Sequence, residues 1–235
     1  MRVAVYGLWH LGCVTAACLA EAGHEVTGLD PDEQVVADLR RGHAPLHELG
    51  LNALLAAGMA SGRLWFTTDP AGALGDAEVL WVAFDTPVND RDEADVPWLR
   101  ERLERVAPEL RQGTLVLISS QAPAGFTRSL ETDWRDRGLR FAYSPENLRL
   151  GAALDVFRKP DRVVVGVRDA AGRAAVEAVL APFRPRIEWM SVESAEMTKH
   201  ALNAFLATSV TFANELARLC ERVGADAKEV ERGLK

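Results

Sequence analysis

Short apolar runs alternate with longer stretches of helical periodicity along most of the chain. Val3–Tyr6, Glu25–Leu29, Val79–Phe84, Leu115–Ser119, Arg140–Tyr143 and Arg162–Val167 are often Val-rich and bounded by Gly, Asp or Pro. They have the length and composition of buried strands. Between them Leu11–Ala22, Gln34–Arg41, Leu51–Ala60, Trp98–Leu110, Gly125–Arg137 and Ala170–Leu180 read as helices. Strands that alternate with helices imply βαβ units and a parallel sheet covered on both faces. The pattern predicts a doubly wound α/β domain over residues 1–190, with six or more parallel strands.

After Trp189 the pattern changes. From Glu193 to about Val223 there is neither Gly nor Pro, and Met197, Ala201, Leu202, Phe205, Leu206, Phe212, Leu216, Leu219 and Val223 mark one helical face. Gly224 breaks the helix, and Asp226 is placed to cap a last one at Ala227–Arg232. Roughly thirty helical residues span ~45 Å. Residues 191–235 thus read as a long connecting helix and the start of a helical region. Its apolar stripe needs cover, and a second copy of the same helix would supply it, so a homodimer is expected.

Composition narrows the function classes. The 235 residues are 48% hydrophobic, enough for a sizeable core. The net charge of −7, with no basic run, argues against a nucleic-acid partner. The longest apolar stretch, Leu11–Ala20, is too short to span a membrane. No signal-peptide pattern precedes Val3, so a cytoplasmic protein is expected. Cys13, Cys18 and Cys220 have no metal-ligand spacing and read as small buried residues; no metal site is expected.

The candidate chemistry lies where strands end. The first strand runs into Gly7-Leu8-Trp9-His10-Leu11-Gly12 and then a helix; the second ends at Asp30. A Rossmann-type dinucleotide site needs a turn glycine, a glycine that admits the pyrophosphate, a glycine for helix–strand packing, and an acid for the ribose hydroxyls. Gly7, Gly12 and Asp30 fill three of these roles. Trp9 stands where the middle glycine belongs, so a bound dinucleotide should be crowded. Asp30 favours NAD over NADP, because a 2′-phosphate would face its carboxylate. Asp85-Thr86-Pro87, Ser119 to Gly125 and Ser144-Pro145-Glu146-Asn147-Leu148-Arg149 also follow strands. On the long helix Glu196, Lys199 and Asn203 share one face, and that face needs polar company: a site opposite, or an internal hydrogen-bond network.

Taken in order, these motifs resemble the UDP-glucose/GDP-mannose dehydrogenase family. The resemblance extends through Gly42, Pro45, Glu48-Leu49-Gly50-Leu51, Thr86-Pro87, Ser120 to Gly125, Ser144-Pro145-Glu146, Pro160-Asp161-Arg162 with Val163-Val164-Val165-Gly166, Glu196-x-x-Lys199-x-x-x-Asn203 and Asn214-Glu215. It implies NAD-dependent oxidation of a nucleotide-sugar C6 hydroxyl to a carboxylate, with a cysteine holding the aldehyde as a thiohemiacetal. It implies that Glu146 is the acid/base residue, Lys199 the cation beside developing oxyanions, and Asn203 its hydrogen-bonding partner. Gly7, Trp9, His10, Leu11, Gly12, Asp30, Thr86, Pro87 and Gln121 would face NAD; Leu148 and Arg149, with Lys199 and Asn203, would face the sugar.

Three departures qualify the resemblance. Trp9 replaces a glycine, Gln121 stands where the family has a water-positioning Thr, and no cysteine matches the nucleophile. The chain reads as a fragment without the nucleophilic cysteine and the uridine-binding domain, Lys235 not being a natural end for the family. Two other readings stay open: a β-hydroxyacid or 6-phosphogluconate-type dehydrogenase, which shares a Lys-x-x-x-Asn helix, and a non-catalytic scaffold or regulatory homologue.

Overall fold

The computed structural model describes residues 1–91, 93–146 and 148–234; Asn147 of the third strand-end loop and Lys235 thus lie outside the described residues. Strands β1 (Arg2–Tyr6), β2 (Glu25–Leu29), β3 (Leu64–Thr67), β4 (Val79–Val82), β5 (Leu115–Ile118), β6 (Arg140–Tyr143), β7 (Val163–Val167) and β8 (Ile187–Met190) form one sheet. Their order is β3-β2-β1-β4-β5-β6-β7-β8. From β3 through β6 every pair is parallel, which bears out the expected block of six.

The helices are α1 (His10–Glu21), α2 (Glu33–Arg40), α3 (Leu51–Ala60), α4 (Pro70–Leu74), α5 (Val96–Val106), α6 (Phe126–Asp133), α7 (Ala153–Arg158), α8 (Ala170–Leu180), α9 (Val192–Val223) and α10 (Ala227–Leu234). Alternate strand residues face opposite sides. Val3, Val5, Val79, Trp81 and Leu117 pack with α1 on one face. Ala4, Tyr6, Leu80, Val82 and Ile118 pack with α5 and α6 on the other. Both faces are therefore dry, as the uniformly apolar strands require.

One part of the expectation needs correction. The segment Arg162–Val167 is a strand, but β7 runs antiparallel to β6, and β8 follows the direction of β7. The cause is the connection. The helix between them, α7, has six residues, about 9 Å at 1.5 Å per residue, too short to carry the chain back across the sheet. The eleven-residue α8 is long enough, and β7 and β8 are parallel. Also unanticipated were β3, β8, α4 and α7. Each is short, and the two strands are edges with partly polar or exposed faces (Trp65 on β3, Glu188 on β8).

The chain divides into two compact units, Met1–Met197 and residues 198–235. Within the first, the opening turns of α9 lie across β7 and along α6. A Cβ built on Gly166 would come within 2.6 Å of the Val192 Cα and 2.8 Å of the Ala195 Cβ, so a glycine in β7 is what admits α9. In the second unit Phe205, Leu206, Val210, Phe212, Leu219 and Val223 are exposed. Cys220 is buried there, and Cys13 and Cys18 are buried in the first unit, as the sequence suggested. Among the described residues no helix is long and apolar enough to cross a membrane.

A cluster of charges pins the start of α9. Arg168, just past β7, donates from Nη1 to Glu193 at 2.8 Å and from Nε to Glu131 at 3.0 Å. Arg128 Nε donates to Glu193 at 2.8 Å. The Arg168 guanidinium is the main reason the Glu193 carboxyl is held down to about 2. A depressed carboxyl stabilises the fold above its ordinary range and loses that contribution as pH falls toward its folded value. Glu193→Gln is therefore expected to cost about 1 kcal/mol at neutral pH, after solvent screening of this half-open cluster. The difference from the parent in urea unfolding should shrink steadily below about pH 4.5; a difference that stays constant down to pH 3 would show that charge is not its source.

Candidate cofactor and sugar-facing edge

The register of the sheet sets the site. Leu29, Tyr6, Val82, Ile118 and Tyr143 lie level across five parallel strands. The next residues, Asp30, Gly7, Ala83, Ser119 and Ser144, therefore leave the sheet along one edge. The strand order reverses between β1 and β4, the place where a doubly wound sheet opens a crevice for ligands. The Gly7–Gly12 loop and Thr86-Pro87 share this edge, as expected.

Two of the fingerprint glycines are fixed by packing. Gly7 has a left-handed backbone, φ +96°, and a Cβ there would meet Phe84 at 2.7 Å. At Gly12 a Cβ would lie 1.8 Å from the Gly7 carbonyl oxygen. Trp9 sits between them at φ −86°, ψ −152°, extended backbone that any residue adopts. Its indole is 47% exposed. The loop thus keeps its shape without the middle glycine.

Asp30 is buried and accepts from Leu8 N at 2.7 Å and Asp32 N at 3.0 Å. Burial pushes its carboxyl above the ordinary range, against the pull of those two amides. Each oxygen keeps a second lone pair for a ribose hydroxyl. The side chains of His10 and Leu11 turn inward: His10 Nε2 lies 3.0 Å from Glu48 Oε2, and Leu11 is buried in the core. The N-cap of α1 has no side-chain cap and its first turn no acid, so the first-turn amides are available to an anion.

Thr86 Oγ1 donates to the Gln121 carbonyl at 2.7 Å, tying the loop after β4 to the loop after β5. Pro87 and Gln121 are exposed beside it. Ser120 Oγ is buried and has no hydrogen-bond partner among the described residues, a polar atom left over on this edge. Beyond β6, Ser144 Oγ donates to the Val164 carbonyl at 2.9 Å. Glu146 closes a local turn by accepting from the Leu148 amide. It also lines a mostly apolar cavity of about 100 Å³ with Trp81, Ser119, Leu148 and Phe157. Leu148 is partly buried and Arg149 exposed.

Glu196 separates from the two residues that share its helical face. Fully buried, it accepts from Gly125 N at 2.6 Å, Thr127 N at 2.9 Å and Thr127 Oγ1 at 2.7 Å. Its polar company is an internal network that caps α6. Lys199 and Asn203 belong to the second unit. Sequence reasoning passed over Glu48 as a role-bearing residue; its partners lie 38 to 105 positions away, and no local pattern marks them.

Comparison with known proteins settles what this edge belongs to. Residues 1–184 match the NAD binding domain of the UDP-glucose/GDP-mannose dehydrogenase family, and residues 193–235 match its central domain. The chain belongs to that family. It is 38% identical to the UDP-glucose 6-dehydrogenase of Pseudomonas aeruginosa, covering all of this chain and 54% of that protein. The UDP-glucose dehydrogenase of Pyrobaculum islandicum superposes with a TM-score of 0.91 at 31% identity, over 99% of this chain and 56% of that one. A ternary complex of GDP-mannose dehydrogenase from Pseudomonas aeruginosa gives 0.90 at 29%, over 99% and 56%. The chain spans about half the length of the curated relatives it matches. Membership of this family sets aside the β-hydroxyacid dehydrogenase reading.

NAD is the cofactor of this domain. The uncapped start of α1, the acceptor capacity of Asp30 and the orphaned Ser120 hydroxyl fit it. The Cβ and indole of Trp9 are the one misfit.

Proposed function

We propose that this chain is the cofactor-binding half of an NAD-dependent nucleotide-sugar 6-dehydrogenase, which oxidises the C6 hydroxyl of a UDP-sugar to a carboxylate. The observation that carries the reading is the level row at one sheet edge, where Asp30, Gly7, the Thr86 loop, the Ser120–Gly125 loop and the Ser144–Glu146 loop leave neighbouring strands. NAD, once bound, supplies the hydride acceptor. In this reading Gly7, Gly12 and the amides of Trp9, His10 and Leu11 face the pyrophosphate, and Asp30 holds the adenosine ribose. Thr86, Pro87 and Gln121 flank the nicotinamide. Glu146 moves protons in the hydrolytic steps, Lys199 stabilises developing oxyanions and Asn203 supports it. Leu148 and Arg149 contact the sugar. The setting is cytoplasmic, without a nucleic-acid or membrane partner. Trp9 and Gln121 favour a second reading, a non-catalytic homologue that keeps the scaffold.

Trp9→Gly tests whether the indole crowds the cofactor. The middle glycine serves to let pyrophosphate touch backbone. The parent is expected to bind NAD weakly and the variant about tenfold more tightly, ~1.4 kcal/mol, by titration calorimetry. Tight binding by the parent, unchanged in the variant, would mean that the indole lies clear of the cofactor.

The exposed stripe of α9 is the surface for a second copy of the chain, giving a homodimer. Its apolar side chains, Phe205 and Phe212 foremost, are uncovered within the chain. Sedimentation should give a dimer, shifted toward monomer by Phe205→Glu. A monomer at high concentration would refute it.

These 235 residues by themselves are expected to show no four-electron oxidation of UDP-glucose, that is, no production of two NADH per sugar. The second oxidation needs a thiolate to hold the aldehyde as a covalent adduct. Burial pushes the Cys18 thiol up to about 12 and the Cys13 thiol higher still, so both stay protonated. Cys220 lies 21 residues beyond Lys199 on one helix, roughly 30 Å away. Two NADH per sugar, abolished by Glu146→Gln, would require a nucleophile not identified among these residues.

A further inference from the structure

We propose that Glu48 is a positioning residue that makes the sugar-facing loop respond to cofactor at the Gly7–Gly12 loop; the proposal rests on the cofactor reading above. Its side chain is 1% exposed, and a carboxylate so placed is tolerated only if donors surround it. Three do, from two distant segments. His10 Nε2 lies 3.0 Å from Oε2, Gly151 N donates to Oε2 at 2.8 Å and Ala153 N donates to Oε1 at 3.2 Å. Burial alone would push this carboxyl up; the bonds from Gly151, His10 and Ala153 outweigh it and hold the group below its ordinary value.

Each donor belongs to a different piece of working structure. His10 is the first residue of α1, the turn that would receive the pyrophosphate. Gly151 ends the loop that carries Leu148 and Arg149, and its left-handed backbone, φ +86°, turns the chain back there. Ala153 opens α7, whose N-cap Ala152 offers no side-chain oxygen, so Glu48 caps that helix from over a hundred residues away. Glu48 itself is held just before α3, where its carbonyl accepts from Leu51 N at 3.1 Å.

The geometry makes the link mechanical. If His10 shifts while Glu48 stays, or Gly151 swings out while His10 stays, a buried charge loses a donor. Such a loss is costly compared with moving the partners together. An anion drawn to the first-turn amides of α1 fixes His10, His10 holds Glu48, and Glu48 holds Gly151 and Ala153. Cofactor binding would thereby rigidify the loop that meets the sugar, and cofactor and sugar would bind cooperatively.

Residue-resolved amide hydrogen exchange by NMR tests this, with NAD at concentrations that titration calorimetry shows to saturate each protein. In the parent, NAD should slow exchange at Gly151 and Ala153 at least about fivefold. In Glu48→Gln both amides should exchange faster without NAD. Added NAD should then slow only the first turn of α1, whereas a purely structural Glu48 would leave the NAD response of the loop in place. Should Glu48→Gln fail to fold, His10→Phe removes the same link from its other end while sparing the two amide bonds. It should abolish the NAD response at Gly151 and Ala153. Bound NAD that leaves these amides at their free rates in the parent, or slows them equally in the variants, overturns the link and leaves the cofactor reading standing. The absence of both binding heat and protection at α1 in the parent would overturn the cofactor reading and the link together.

Discussion

The closure of α1 onto the end of β1 is the contact on which the rest of the site depends. A Cβ at Gly12 would stand 1.8 Å from the Gly7 carbonyl oxygen, inside any tolerable contact. Only a glycine lets the helix start that close to the strand that feeds it. From this approach follow the aim of the helix N-terminus at the sheet edge, the inward turn of His10 and Leu11, and the place of the Leu8 amide. That amide donates to Asp30, so the buried acid at the end of β2 is oriented by the same loop. Gly7 serves from the other side, where Phe84 occupies the space a side chain would need.

Three buried carboxylates hold the loops around this closure, and they act alike. Asp30 takes the amides of Leu8 and Asp32; Glu48 those of Gly151 and Ala153; Glu196 those of Gly125 and Thr127. In each case a negative charge is satisfied by backbone N–H groups at a turn or helix start. Charge-assisted bonds of this kind are stronger than neutral ones and fix direction as well as distance. The loops at the ligand edge are therefore held by interior anions. The loop after β4 is held in addition by neutral bonds, from Thr86 Oγ1 to the Gln121 carbonyl and from the Asp95 amide to the Pro87 carbonyl.

How far all this was legible in the sequence follows from how local each signal is. The strands β1, β2, β4, β5 and β6 lie inside the sheet and are almost wholly buried, so each shows as a mainly apolar run. The edge strands β3 and β8 are four residues long and half-wet, and their composition resembles loop. The reversal at β7 depends on the length of α7, a six-residue helix too short to show periodicity. Asp30 and the glycines stand out because their spacing along the chain forms a local pattern, and their places at the strand ends follow from it. The partners of Glu48 and Glu196 could not be read, because they lie 38 to 105 and 69 to 71 residues distant, although the need of the Glu196 face for polar company was legible.

Trp9 marks where folding and binding requirements part. The glycines at 7 and 12 are demanded by contacts inside the protein, and their loss would damage the fold whether or not a ligand ever binds. Position 9 carries no such demand: its backbone is extended, and its side chain projects to solvent. A glycine there would serve only what arrives from outside. Substitution at this place therefore meets no steric bar of the kind found at positions 7 and 12. The chain can therefore keep the fold of this domain, with the uncapped start of α1 and the buried Asp30, while carrying a tryptophan between the two glycines.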